Sequence, residues 1–132
     1  MLTYLLVALG GAIGSVARFW CAAVLTRKLD HDFPAGTLFV NVSGSFVIGM
    51  ISTLTGPEGK WPVSSPARTF LMIGILGGYT TFSSFSLQTL DLARSGRWGY
   101  ASLNVLLSVA LCLIGVLLGH LVASQFNAPK EG

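Results

Sequence analysis

The sequence predicts an all-α membrane protein with four transmembrane helices per subunit, the third broken near the midplane. Three observations carry that expectation. The 132 residues are 52% hydrophobic and 10% charged, whereas soluble domains carry about 25% charged residues. Apolar stretches fall at about 2–26, 36–56, 68–93 and 98–126, each close to the roughly 20 residues that a helix needs to cross hydrocarbon. Inside the third stretch, at 77–86, stands GGYTTFSSFS, two glycines followed by hydroxyl side chains and two phenylalanines. Residues 1–132 read as a single integral membrane domain, with mean hydropathy +0.72.

The first span lacks a basic leading segment and is followed by three similar runs, so it reads as a membrane span and not as a cleaved signal. Its GGAIGSVAR places Gly10, Gly14 and Arg18 on one helix face, because every fourth residue returns to the same side. The glycines allow close helix approach. An arginine at membrane depth costs roughly 2.5–3.5 kcal/mol on insertion scales, so Arg18 should face protein or water. It either anchors a helix end or attracts anions. RKLDHDFPAG then supplies the Pro and Gly that end a helix and open the next.

The second span repeats the fourfold spacing with Thr37, Asn41, Ser45 and Gly49, and the fourth does so with Tyr100, Asn104, Ser108 and Cys112. A single polar residue in a span commonly bonds helix to helix. Two parallel stripes offer hydroxyl and amide donors without a carboxylate, a lining suited to a dehydrating anion. GPEGKWPVSSPAR and ARSGRW close the second and third spans, and Trp61 and Trp98 are placed for the membrane interfaces.

In the third span, Gly77 and Gly78 each cost about 1 kcal/mol in a helix interior, and the following Thr and Ser compete for local backbone bonds. A broken helix follows. Irregular backbone at membrane depth must be buried by protein or line a cavity. If two subunits met at their breaks on a two-fold axis, a ring of carbonyl oxygens would suit a hard monovalent cation such as Na⁺. Phe82 and Phe85 share a face beyond the break, with serines between them. The pair fits packing or lipid contact. It also fits ring edges turned to a small, hard anion, since an aromatic rim is electropositive.

Charge excludes several classes. Asp30, Asp32, Glu58, Asp91 and Glu131 lie in or beside loops, so the intramembrane acid that a proton-coupled cation exporter needs is missing. A small multidrug-type exporter, which matches in length and span number, is the alternative reading. No nucleophile with a base, metal cluster or phosphate loop points to an enzyme. The basic residues cap apolar runs and form no nucleic-acid patch. Cys21 and Cys112 read as small packing residues. Lys60, Arg68 and Lys130 fall on one side of the membrane, and Arg27, Lys28, Arg94 and Arg97 on the other. With so little positive-inside bias the chain is expected to insert both ways and pair as an antiparallel, dual-topology homodimer.

Three motifs in order, GGAIGSVAR with Arg18, GTLFVNVSGS with Asn41 and GGYTTFSSFS with Phe82 and Phe85, resemble the small fluoride channels of the Fluc/CrcB family over essentially the whole chain. The resemblance implies a channel of the bacterial inner membrane that passively exports cytoplasmic fluoride through two pores per antiparallel dimer. It implies an edge-on box of Phe82 and Phe85, with Asn41 at the pore orienting the rings. It also implies a polar track through Ser83, Thr37, Tyr100 and Ser108, and a structural Na⁺ on the two-fold held by backbone carbonyls of Gly77 and Thr80. The chain departs from that pattern at Gln88, where many relatives carry glutamate, and at Asn104, where a smaller hydroxyl is familiar.

Overall fold

A computed structural model describes residues 1–28 and 32–127. Asp30, Lys130 and Glu131, three of the charges placed above, lie outside the described residues. Helix α1 (Leu2–Lys28) and helix α2 (Ala35–Thr55) form the first two spans. The third span runs through α3 (Ser65–Thr69), a π-helical stretch (Phe70–Leu76), α4 (Gly77–Tyr79) and α5 (Phe82–Arg94). Helix α6 (Trp98–Asn127) completes the chain. All four spans are long and apolar enough to cross a membrane, and each boundary lies within three residues of the one predicted.

Small residues set how closely the helices pack. Gly10 and Gly14 are the buried residues of α1. A Cβ on Gly10 would stand 2.9 Å from the Cα of Gly74, and one on Gly14 would overlap the carbonyl of Ile75. The GxxxG face therefore brings α1 backbone to backbone with the π-helical stretch, the close approach that lipid-embedded helices use in place of a hydrophobic driving force. On the other side α2 and α6 meet through Gly49, Gly115 and Gly119, all buried. The fully buried core is small, with Val40 and Ala123 at 0% exposure and Asn104 at 2%. Most large apolar side chains, among them Ile13, Phe19, Leu106 and Leu113, point outward, as lipid contact requires.

The ends of the bundle are tied by polar contacts. Helix α5 stops in a Schellman turn, with Gly96 at φ +76° as the left-handed residue, Gly96 N–H donating to Ala93 O at 3.0 Å and Arg97 N–H to Leu92 O at 2.9 Å. That turn sets Arg97 on Asp32 at 2.7 Å, joining the connections on either side of the α2 and α5 ends. At the opposite end the Asn127 amide accepts from Lys60 N–H at 2.9 Å and donates to Thr53 O at 3.2 Å.

Candidate functional site: the interrupted third span

Tyr79 ends α4, and Thr80 (φ −82°, ψ 158°) and Thr81 (φ −152°, ψ 113°) are extended before α5 resumes at Phe82. The two threonines stand halfway between Ser65 and Arg94, the ends of the span. Extension redirects donors that a continuous helix would use internally. Thr81 N–H, which would bond Gly77 O, donates instead to Asn41 Oδ1 at 2.8 Å. Ser84 N–H, which would bond Thr80 O, donates to Thr81 Oγ1 at 3.2 Å. The carbonyls of Gly77 and Thr80 thus lose their helical donors.

Asn41 holds this backbone from α2. Its Nδ2 donates to Thr81 O at 3.0 Å while its Oδ1 accepts from Thr81 N–H. One carboxamide therefore satisfies both polar groups of a residue that is 8% exposed, where an unmet backbone group is costly. Thr81 is also the N-cap of α5, and its hydroxyl bonds Ser84 Oγ at 3.1 Å and meets Ser83 Oγ at 3.2 Å. On the α4 side Tyr79 OH meets Ser43 Oγ at 3.0 Å, and Thr80 packs its methyl over Gly44, where any Cβ would collide with it.

Phe82 and Phe85 leave this cap together, ring centroids 5.2 Å apart and planes tilted by 55°. A tilted pair sets ring rim toward ring face. Phe85 is 8% exposed and Phe82 is 76% exposed, so the two share a contact but not an environment. Both line a cavity of about 440 Å³ that also takes in Asn41, Gly77, Thr80, Thr81 and Ser108. None of its lining residues is charged.

A second cavity of about 470 Å³ lies behind Thr81 and is lined by Arg18, Thr37, Ser84 and Gln88. Arg18 is its one charged lining residue. The Gln88 Oε1 is buried without a hydrogen-bond partner among the described residues. Gln88 also borders a third cavity of about 230 Å³, with Asp32, Asp91 and Arg97, at the α5–α6 end of the bundle. Gln88 and Thr81 are therefore shared walls in a file of three cavities that runs from one end of the bundle to the interruption.

The residues singled out in the sequence divide between these spaces. Asn41, Gly77, Thr80, Phe82, Phe85 and Ser108 border the first cavity, and Arg18 and Thr37 border the second. Ser83 borders neither and turns to Thr81. Tyr100 lies apart, its ring 6.1 Å from that of Phe33. Asn104 ties α6 to α5 by donating to Thr89 Oγ1 at 2.9 Å and accepts a long bond from Ser108 at 3.5 Å. Sequence reading missed Thr81, the hub of the interruption. Its signal was present, since Thr is a favoured N-cap residue where a helix resumes after a break.

Comparison with known proteins adds the lineage. The family profile described as "CrcB-like protein, Camphor Resistance (CrcB)" matches residues 5–120. A protein of Opitutus terrae is 54% identical over 130 residues, covering 98% of each chain. One of Rhodospirillum rubrum is 53% identical over 126 residues, covering 96% of this chain and 98% of its own. One of Paramagnetospirillum magneticum is 55% identical over 127 residues, covering 96% and 99%. Each is named "Fluoride-specific ion channel FluC". With four apolar spans, a profile match over nearly the whole chain and relatives at this identity, the protein is a multi-pass membrane protein of the CrcB family.

Proposed function

We propose that this protein is a fluoride-selective channel that passively exports cytoplasmic fluoride across the bacterial inner membrane. The observation that carries the reading is the junction at Thr81. There the Phe82–Phe85 pair, the Asn41 carboxamide and a cluster of Thr and Ser hydroxyls converge on two neighbouring cavities, both lined by Thr81 and neither by an acid. A dehydrating anion needs such neutral donors and electropositive ring rims in place of water. Arg18, as the one charge lining the second cavity, raises the local anion concentration. Relatives named as fluoride-specific channels at more than 50% identity support the choice of ion.

The functional unit is an antiparallel, dual-topology homodimer with two pores. The exposed Phe82 ring and the open side of the first cavity support a second subunit on that face. The break of the third span lies near the membrane midplane, and the carbonyls of Gly77 and Thr80, freed of helical donors, are suited to hold a structural Na⁺ where two breaks meet. Oxygen-only donors fit a hard cation. Bound there, the ion would supply fixed positive charge and order the two breaks. Thr37 and Ser108, which line the two cavities, continue the polar route, whereas Ser83, bonded to Thr81, and Tyr100, beside Phe33, stand off it.

The test is efflux from fluoride-loaded liposomes under a K⁺/valinomycin potential, followed with a fluoride electrode. Rapid fluoride efflux with slow chloride efflux is expected. Absence of fluoride efflux, or chloride efflux of equal speed, would defeat the proposal.

A further inference from the structure

Arg68 stands away from the interruption, 12 residues before Thr80 and toward the Ser65 end of the third span. It lines a cavity of about 580 Å³ with Thr55, Ser65, Thr69, Met72 and Ile73. The arginine is only half-satisfied. Its Nη2 makes one long bond to Ser52 O at 3.4 Å and touches Met72 Sδ at 3.8 Å. Its Nε is buried with no hydrogen-bond partner among the described residues. No carboxylate pairs with it among the described residues, where Asp32 is paired with Arg97, and none lines the cavity. A guanidinium with five donors at the start of a membrane span calls for an anion.

The walls indicate which anion. Ser65 and Thr69, at the two ends of α3, bring hydroxyls to the cavity that Arg68 lines, while Thr55, at the end of α2, spends its own hydroxyl on Ile51 O at 2.6 Å. One turn deeper, Met72 and Ile73 form an apolar wall, and Ile73 is 62% exposed on the outer surface. Polar donors at the span end with an exposed aliphatic wall running inward match a molecule with a phosphate ester head and an acyl tail. We propose that this cavity binds the phosphodiester of an anionic phospholipid, with Arg68 as the charge that selects it and Ser65 and Thr69 as hydroxyl donors. The shared chemistry is phosphate recognition by a guanidinium, bidentate where geometry allows. The aliphatic wall assigns the source to lipid and not to free phosphate.

Native mass spectrometry of the full chain in detergent tests this, with dioleoylphosphatidylglycerol and dioleoylphosphatidylcholine supplied in equal amounts and inorganic phosphate as competitor. One juxtamembrane cation accounts for about a fivefold preference for an anionic lipid. The wild type should retain phosphatidylglycerol over phosphatidylcholine by about that factor, Arg68→Lys should keep most of the preference, and Arg68→Gln should abolish it. Thr69→Val, which leaves the charge, should weaken retention by a smaller factor. Equal retention of the two lipids by the wild type overturns the proposal even if no variant folds. So does an unchanged preference in Arg68→Gln. Displacement of the lipid by millimolar inorganic phosphate overturns the lipid assignment in favour of a free anion.

Discussion

Replacing Asn41 with alanine removes both bonds that hold the Thr81 backbone, the donation to Thr81 O at 3.0 Å and the acceptance from Thr81 N–H at 2.8 Å. Thr81 is 8% exposed, so neither group regains full hydration. In water-soluble proteins each buried group left unmet costs about 1–3 kcal/mol. Polar contacts between membrane helices average nearer 0.6 kcal/mol and reach about 1.7, so two such bonds give an expected loss of about 1–3 kcal/mol. The first cavity borders Asn41 and can admit water to the site, which draws the value toward the lower end. Reversible unfolding in mixed dodecylmaltoside and sodium dodecyl sulfate micelles, followed by tryptophan fluorescence, measures it. Ser45→Ala is the control, one turn further along α2, lining the same cavity and making no side-chain hydrogen bond among the described residues. Asn41→Asp separates the fold from the ion route. Its carboxylate still accepts from Thr81 N–H, loses the donation to Thr81 O and places negative charge beside the phenylalanine pair. That variant should keep about half of the lost stability yet pass fluoride at least about tenfold more slowly, a barrier increase near 1.4 kcal/mol. If Asn41→Ala is as stable as Ser45→Ala, the clamp does not hold the interruption. If Asn41→Asp conducts normally, the ion route lies elsewhere.

Phe82→Ile and Phe85→Ile should both slow fluoride efflux, while the stability of the subunit fold should fall by about 1 kcal/mol in Phe85→Ile, because Phe85 is buried within the subunit, and Phe82→Ile should instead weaken the dimer, because Phe82 is exposed on the face proposed for the partner; melting curves and dimer dissociation beside flux traces check the split. Gly14→Ala should cost about 1–3 kcal/mol, since its Cβ would overlap the Ile75 carbonyl, whereas Gly11→Ala meets nothing within 4 Å and should be neutral or stabilising; unfolding titrations of the two variants distinguish them. Exchanging Na⁺ for N-methylglucamine should lower the melting temperature of the purified protein by mass action if the Gly77 and Thr80 carbonyls hold the ion, and restoring Na⁺ should reverse the loss. Asp32→Asn should shift stability by less than about 1 kcal/mol, because the Asp32–Arg97 side chains are 67% and 42% exposed; the same unfolding assay reads it.

The amino-acid sequence by itself determined the number, order and approximate limits of the spans, because hydropathy adds along the chain and the bilayer thickness supplies the ruler. It also pointed to the place where the third span leaves helical geometry, since Gly77, Gly78 and the hydroxyl run after them weaken the helix locally. Local chemistry likewise placed Gly10 and Gly14 on a packing face, and Gly74 of the third span meets it. Only the tertiary structure decided what those features face. Asn41 meets Thr81 forty positions away, Arg18 shares a cavity with Gln88, and Phe85 is enclosed while Phe82 is left open. Ser83 and Tyr100 carry the same donors as Ser108 but border neither of the two cavities beside Thr81. The physical reason is register: the spacing of residues on one helix fixes a face, but which face it meets depends on how far the neighbouring helix is slid and turned. Here glycine contacts on α1, α2 and α6 set that slide, and no single segment encodes it.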